Sequence, residues 1–362
     1  MQLNFSGGPG ALPEKVLKEA QEAIIALPDS GISVLGMSHR SDWFNSIINE
    51  TKSNLKKLLS IPDDYHILLL QGGSSLQFSM IPMNFLRDSN KIAEFIVSGY
   101  WSQKAPIEAK YEGQINVLWD GKDTNYTKLP KLNNLSFSEN AAYLHYVSNE
   151  TVEGLEFSFV PGLDNVPLVC DMASDILSKP IDIDRYSLIY AHAQKNLGPA
   201  GVTLVIVKNH FLEKLSNKNL PTYFNYLTHI NSNSIYNTPP VFAIYVMLLV
   251  TRWLINDIGG LKNMAKINEM KASLIYSTLD NNPDIYAPYV EDNSRSKMNV
   301  SFFLRNKNLQ DNFLRLAKHE GFYGLEGHRS IGGLRASLYN AVNLDSTKLL
   351  SEFLENFAKK FS

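Results

Sequence analysis

Seven short apolar runs, at 66–70, 95–98, 115–119, 142–147, 166–170, 188–191 and 202–207, constrain this chain more than any other feature. Segments with apolar residues at helical spacing, such as 14–27 and 43–59, are interleaved with them, and Pro13 stands where a helix would start. That alternation predicts an α/β fold built on a mostly parallel, seven-stranded sheet. The run at 202–207 follows its predecessor through a tight Gly198, Pro199, Gly201 loop. Such a loop is too short for a parallel crossover, so this strand is expected to be antiparallel. Asn237-Thr238-Pro239-Pro240 breaks the chain before a long apolar helix, 241–256, which ends at Gly259-Gly260. Beyond it the pattern reads as helix 261–280, strands near 298–304 and 333–338, a helix near 310–320 and a terminal helix over 346–361. A chain of 362 residues suggests about two domains. The expected division is an N-terminal segment, 1–15, packing near the small domain, a large domain over 16–258, and a small α+β domain over 259–362.

Lys and Arg number 34 against 36 Asp and Glu, which argues against nucleic acid as the main partner and requires any strong positive field to be local. Cys170 is the only cysteine, so no internal disulfide, cysteine zinc cluster or paired redox motif can form; no metal site is expected, and a reducing cytoplasm fits. The N-terminus lacks the basic start and apolar stretch of a signal peptide. The apolar stretch 241–249 is broken by Tyr245 and followed by Arg252, well short of the roughly 20 residues a membrane span needs. Without a signal, Asn-Glu-Thr at 49–51 and 149–151 reads as a chance glycosylation motif.

The chemistry gathers at the ends of the apolar runs. Lys195 stands in Ala-His-Ala-Gln-Lys-Asn-Leu-Gly-Pro-Ala-Gly, 191–201, directly after one run, and Asp171 ends another. An amine and a carboxylate at strand mouths suit a pyridoxal phosphate enzyme, in which lysine forms a Schiff base and aspartate keeps the pyridine nitrogen protonated. A lysine capping a strand beside a Gly/Pro turn is the other reading. Gln71-Gly72-Gly73-Ser74-Ser75 follows the first run and precedes the helical stretch 76–86, which makes either an anion site or a plain tight turn. It is too short for a P-loop and lacks its lysine. Trp101 could stack on a planar cofactor or simply pack, and Thr151 could meet a ring substituent or cap a turn. The pairs His39-Arg40 and His328-Arg329, with Arg335 nearby, read singly as surface ion pairs and together as clamps for a doubly anionic substrate.

These residues stand in strings that resemble the phosphoserine aminotransferases, fold-type I, class V pyridoxal phosphate enzymes of the serine pathway. The strings are Met37-Ser38-His39-Arg40, His145 to Thr151, Asp171 to Asp175, Ala193 to Gly201, Tyr236 to Pro240 and Gly327-His328-Arg329. The likeness runs from Asn4 to Ala341 and covers essentially the whole chain. It implies that Lys195 is the Schiff-base lysine and Asp171 the partner of the pyridine nitrogen. Trp101 would stack on the ring, Thr151 would lie near its hydroxyl, and Gln194 would help hold it. Ser74 and Ser75 would bind the cofactor phosphate, with Asn237 and Thr238 of the partner subunit in a homodimer with shared sites. His39 and Arg40, with His328 and Arg329 of the partner subunit, would take the substrate phosphate, and Arg335 the α-carboxylate. The implied reaction moves an amino group from glutamate to 3-phosphohydroxypyruvate, and 4-phosphohydroxythreonine of vitamin B6 synthesis is a further implied substrate. At Ser75 the pattern departs from bacterial relatives that have an arginine, which removes a positive charge near the phosphates. Other readings are an alanine–glyoxylate type of transaminase, for which the His-Arg pairs are unexplained, and a non-catalytic binding protein of the same fold, against which the retention of both Lys195 and Asp171 argues. A cysteine desulfurase fits poorly, because Cys170 sits inside a strand.

Overall fold

The computed structural model describes residues 3–28, 30–162, 165–215 and 219–361. The outer ends of the expected domains, Met1, Gln2 and Ser362, lie outside them. The seven apolar runs become β1 (Tyr65–Leu70), β2 (Ile92–Val97), β3 (Gln114–Asp120), β4 (Ala141–Val147), β5 (Leu168–Asp171), β6 (Leu188–His192) and β7 (Thr203–Lys208) of one sheet. Its order is β1-β7-β6-β5-β4-β2-β3. Only β7 runs against its neighbours, Val205 facing Leu68 on one side and Tyr190 on the other. All other pairs are parallel.

Continuous apolar runs suit this sheet because both faces are covered. Ile67 and Leu69 of β1 pack toward the layer of α1 (Glu14–Ile25), α2 (Asp42–Leu59) and, further along the chain, the apolar helix Val241–Asn256. Leu68 and Leu70, one position out of phase, face α3 (Gly73–Phe85) with Phe78 and Phe85. Two starts fall three residues earlier than the sequence expectation. β2 begins at Ile92 rather than 95 because the sheet buries Glu94, whose carboxylate accepts from Ser138 N at 3.0 Å. α3 begins at Gly73 rather than 76, since Gly72 and Gly73 adopt φ of +93° and +71°, which lets the chain enter the helix at once.

Val241–Asn256 (α4) closes the first layer, and Leu261–Asp280 (α5) turns away from it at Gly259-Gly260. α5 packs instead on α7 (Leu344–Phe361) in a second core, which also holds α6 (Gln310–His319) and a three-stranded antiparallel sheet of β8 (Tyr286–Pro288), β9 (Asn299–Leu304) and β10 (Leu334–Ser337). The N-terminus joins this second body: Leu3–Asn4 pairs with Phe322–Tyr323, and Phe5 is fully buried in its core. Among the described residues no single helix is long and apolar enough to cross a membrane.

Candidate active site

The carboxyl ends of β1, β2, β4, β5 and β6 open on one side of the sheet, where parallel α/β folds bind ligands. Asp171, the last residue of β5, is 4% exposed and accepts from Ala173 N at 2.8 Å. Burial pushes its carboxyl up to about 6, against the opposing pull of the Ala173 amide and the Lys195 charge. Lys195 lies in the turn between β6 and β7. Its Nζ donates to Thr151 Oγ1 at 2.5 Å and stands 5.9 Å from the centre of the Trp101 ring. Burial pushes this amine down to about 8, with Asp171 acting the other way. An amine so placed gives up its proton far more readily than an ordinary lysine and can act as nucleophile or base.

Trp101 is aimed by two acids that the sequence reading did not single out. Glu150 accepts from the backbone N–H of Trp101 at 3.0 Å and of Ser102 at 2.9 Å, and Glu153 accepts from Tyr100 N at 2.9 Å. Both are buried, and burial raises both. A Cβ on Gly99 would sit 2.6 Å from Glu153 Oε2 and 2.8 Å from Glu150, so only glycine lets the turn settle onto them. The N-terminal Ser6–Gly10 segment crosses above: Gly10 N donates to Gln194 O at 2.8 Å, and a Cβ at Gly7 would fall 2.1 Å from an Arg335 nitrogen. Arg335 in turn donates to Thr151 O at 3.1 Å, and burial lowers its pKa.

Ser74, Ser75, Trp101, Thr151, Asp171, Gln194 and Lys195 line one cavity of about 250 Å³. His192, also in its wall and missed in the sequence because it closes an apolar run, makes no hydrogen bond among the described residues; burial pushes it down to about 4. A larger groove of about 520 Å³ on the second body, lined by Leu316, Phe322, Phe353 and Phe357 among others, has no buried acid–amine pair. The donor set fits pyridoxal phosphate. Ser74 Oγ is buried with no partner among the described residues, in the first turn of α3 where backbone N–H groups are free, which is the arrangement a phosphate satisfies. Across the cavity the indole, the amine and the acid are at hand for the ring.

The remaining expected residues lie elsewhere on the chain. The His328 ring lies tilted at 55° against Tyr100, 4.7 Å between ring centres, and burial and the charges of Arg335, Arg329 and Lys104 hold it below its usual range. His328 thus lies against the residue that precedes Trp101 in its own chain. Arg329 is exposed. His39 and Arg40, in the turn before α2, and the exposed Asn237 and Thr238 are absent from the cavity wall, although Thr238 O accepts from Gln71 beside the glycine turn at 2.6 Å. Among the described residues no group of His, Cys, Asp and Glu is arranged to hold a metal ion.

Fold and site together define a pyridoxal phosphate-dependent transaminase, and the chain belongs to the aminotransferase class-V family, whose profile matches residues 2–350. Within that family its relatives are phosphoserine aminotransferases. The one from Lysinibacillus sphaericus is 48% identical over 99% of this chain and 98% of its own length. The solved phosphoserine aminotransferase of Bacillus circulans subsp. alkalophilus superposes with a TM-score of 0.96 at 44% identity, over 100% of this chain and 99% of its own. That of Trichomonas vaginalis, with pyridoxal phosphate bound, gives 0.92 at 34% identity, covering 98% of this chain and 100% of its own.

Proposed function

We propose that this chain transfers the amino group of glutamate to 3-phosphohydroxypyruvate, yielding 2-oxoglutarate and phosphoserine in two half-reactions. The observation that carries the reading is the buried Lys195–Thr151–Asp171 cavity with a free serine hydroxyl at the start of α3. Bound pyridoxal phosphate supplies a carbonyl for the amine and a ring that takes up electrons from the substrate carbon. Lys195 Nζ would carry the proton from the substrate α-carbon to the C4′ carbon of bound pyridoxal phosphate, and the other way in the second half-reaction, a task suited to an amine pushed down to about 8. Asp171 holds the pyridine nitrogen protonated, Trp101 covers the ring face, Thr151 and Gln194 orient its edge, and Ser74 and Ser75 hold the phosphate. Arg335, packed under Gly7, takes the α-carboxylate.

The substrate phosphate lies between His328-Arg329 of one subunit and His39-Arg40 of the other, and Asn237 and Thr238 reach the cofactor phosphate across the same homodimer interface. Support comes from the exposure of Arg40, Arg329, Asn237 and Thr238 outside a cavity that otherwise completes itself within one chain. We place the division between large and small domains at Gly259-Gly260, where α4 and α5 part to separate cores, and the enzyme in the cytoplasm. 4-Phosphohydroxythreonine is accepted through the same phosphate clamp. The test is a substrate panel with Arg329→Ala. Removing the clamp should lower kcat/KM for the phosphorylated substrates by about 10- to 100-fold while sparing the glutamate half-reaction. Equal losses for both would remove the phosphate assignment, and alanine and glyoxylate outperforming the phosphorylated pair would favour the alanine–glyoxylate reading.

A further inference from the structure

His145 and Tyr190 belong to none of the roles above, yet they stand in the strands on either side of Asp171. In the parallel register Asp171 faces Val147 of β4 and Tyr190 of β6, and His145 faces Val169, two residues before Asp171 on the same face. Tyr190 Oη lies 2.8 Å from His145 Nε2, and the register sets the tyrosine side by side with Asp171, whose carboxyl its hydroxyl pulls down. Both side chains are buried, with the ring of Phe78 edge-on to each and Phe95 against His145.

The direction of these hydrogen bonds follows from donor inventory. An ionised carboxylate only accepts, so the single tyrosine proton goes to Asp171, and the tyrosine oxygen must then accept from His145 Nε2–H. That tautomer leaves Nδ1 as a bare acceptor, and Nδ1 is the buried ring atom without a partner. The opposite tautomer would point an N–H donor into aromatic packing and leave the tyrosine proton between two acceptors, which is the more costly arrangement. Burial keeps the imidazole neutral, pushing it down to about 3.

We propose that His145 and Tyr190 are positioning residues forming a one-way hydrogen-bond chain, His145 to Tyr190 to Asp171, that keeps the Asp171 carboxylate ionised and aimed at the cofactor's pyridine nitrogen. The inference rests on reading Asp171 as that nitrogen's partner. The titratable groups facing Asp171 are Lys195 from the β6–β7 turn, Glu150 from the segment after β4, Asp175 from the turn after β5, and Cys170 and Tyr190 from the sheet. Glu150 and burial favour the neutral acid; Lys195, the Ala173 amide and Tyr190 oppose them. Tyr190 is the one of these opposing side chains that does not itself take part in proton transfer.

The apoprotein carries the test, independently of turnover. With ¹⁵N-labelled histidine, wild type should show one exchange-protected imidazole that stays neutral, with its proton on Nε2, from pH 5 to 9, and whose signal disappears in His145→Gln. In infrared difference spectra, the carboxylic acid band absent from Asp171→Asn should titrate about one pH unit higher in Tyr190→Phe, a roughly tenfold change in ionisation ratio. His145→Gln, which keeps an N–H donor, should shift that band less than His145→Leu. A proton on Nδ1, a charged His145 at pH 6, or an unmoved Asp171 midpoint in Tyr190→Phe would each overturn the proposal. The wild-type histidine spectrum decides even where Tyr190→Phe does not fold. Failure of the underlying reading registers separately, as Asp171→Asn binding pyridoxal phosphate with unchanged affinity and spectrum, and the proposed chain would lose its role with it.

Discussion

Lys195 and Lys271 are both buried lysines, one on the floor of the cavity and one where α5 meets the end of β10, and they differ in what surrounds the amine. Lys271 Nζ donates to Leu338 O, Tyr339 O and Val342 O at 2.8, 2.9 and 2.8 Å. Among the described residues Lys195 Nζ has a single hydrogen-bond partner, the hydroxyl of Thr151. Burial lowers both, Lys271 to about 7 and Lys195 to about 8. For Lys271 the three carbonyls oppose that shift, because an ammonium satisfies all three and a neutral amine only two. A depressed amine is thus common to both regions. What separates a reactive lysine from a structural one is open coordination space, with an acid and an aromatic face around it.

The comparison breaks most easily at Lys195. Lys195→Ala should lose turnover by about 10⁴-fold or more, together with the visible absorbance of the lysine-bound cofactor, because no second buried amine adjoins the cavity. A purified variant keeping both would sink the assignment. Lys271→Met should do the reverse. Three carbonyls lose their donor, so urea unfolding should show about 3 kcal/mol less stability, while turnover per folded molecule stays near wild type. Turnover lost at unchanged stability would make Lys271 part of the chemistry and erase the contrast.

Only one of these two lysines was visible in the sequence. Lys195 stands out because it follows an apolar run whose strand is buried on both faces, and the same logic exposes Asp171 and the sheet itself. Lys271 shares its helix with two other lysines, Lys262 and Lys266, and its partners are backbone carbonyls some 70 residues away that carry no sequence mark. Glu150 and Glu153 were hidden for the same reason, since they hold backbone amides about 50 residues upstream. His145 and Tyr190 sit inside apolar runs, where polar side chains read as packing until neighbouring strands bring their atoms to 2.8 Å. The Ser74 turn was legible as glycine chemistry, but the vacant hydrogen-bonding capacity of Ser74 Oγ is a property of the folded helix start.

The smallest effect concerns stability and its pH dependence. A lysine whose folded pKa falls from 10.5 to about 8 makes its favourable contribution only above the unfolded value, and loses it as pH drops toward 8. Below pH 8 the amine must be carried as a buried ammonium with one hydroxyl partner, at a cost that no longer changes with pH. Lys195→Met apoprotein should therefore be more stable than wild type by about 2 kcal/mol at pH 7, somewhat below the pKa-derived limit because Asp171 loses its counter-charge. The gain should narrow steadily between about pH 8 and 10.5, as the wild-type protein sheds the proton that its unfolded chain retains. In Lys271→Met the three carbonyls left without a donor should more than offset such a gain at pH 7. Thermal melts of the three apoproteins across that window compare the two amines directly: a parallel response would mean that burial alone, and not the number of acceptors around the amine, governs both.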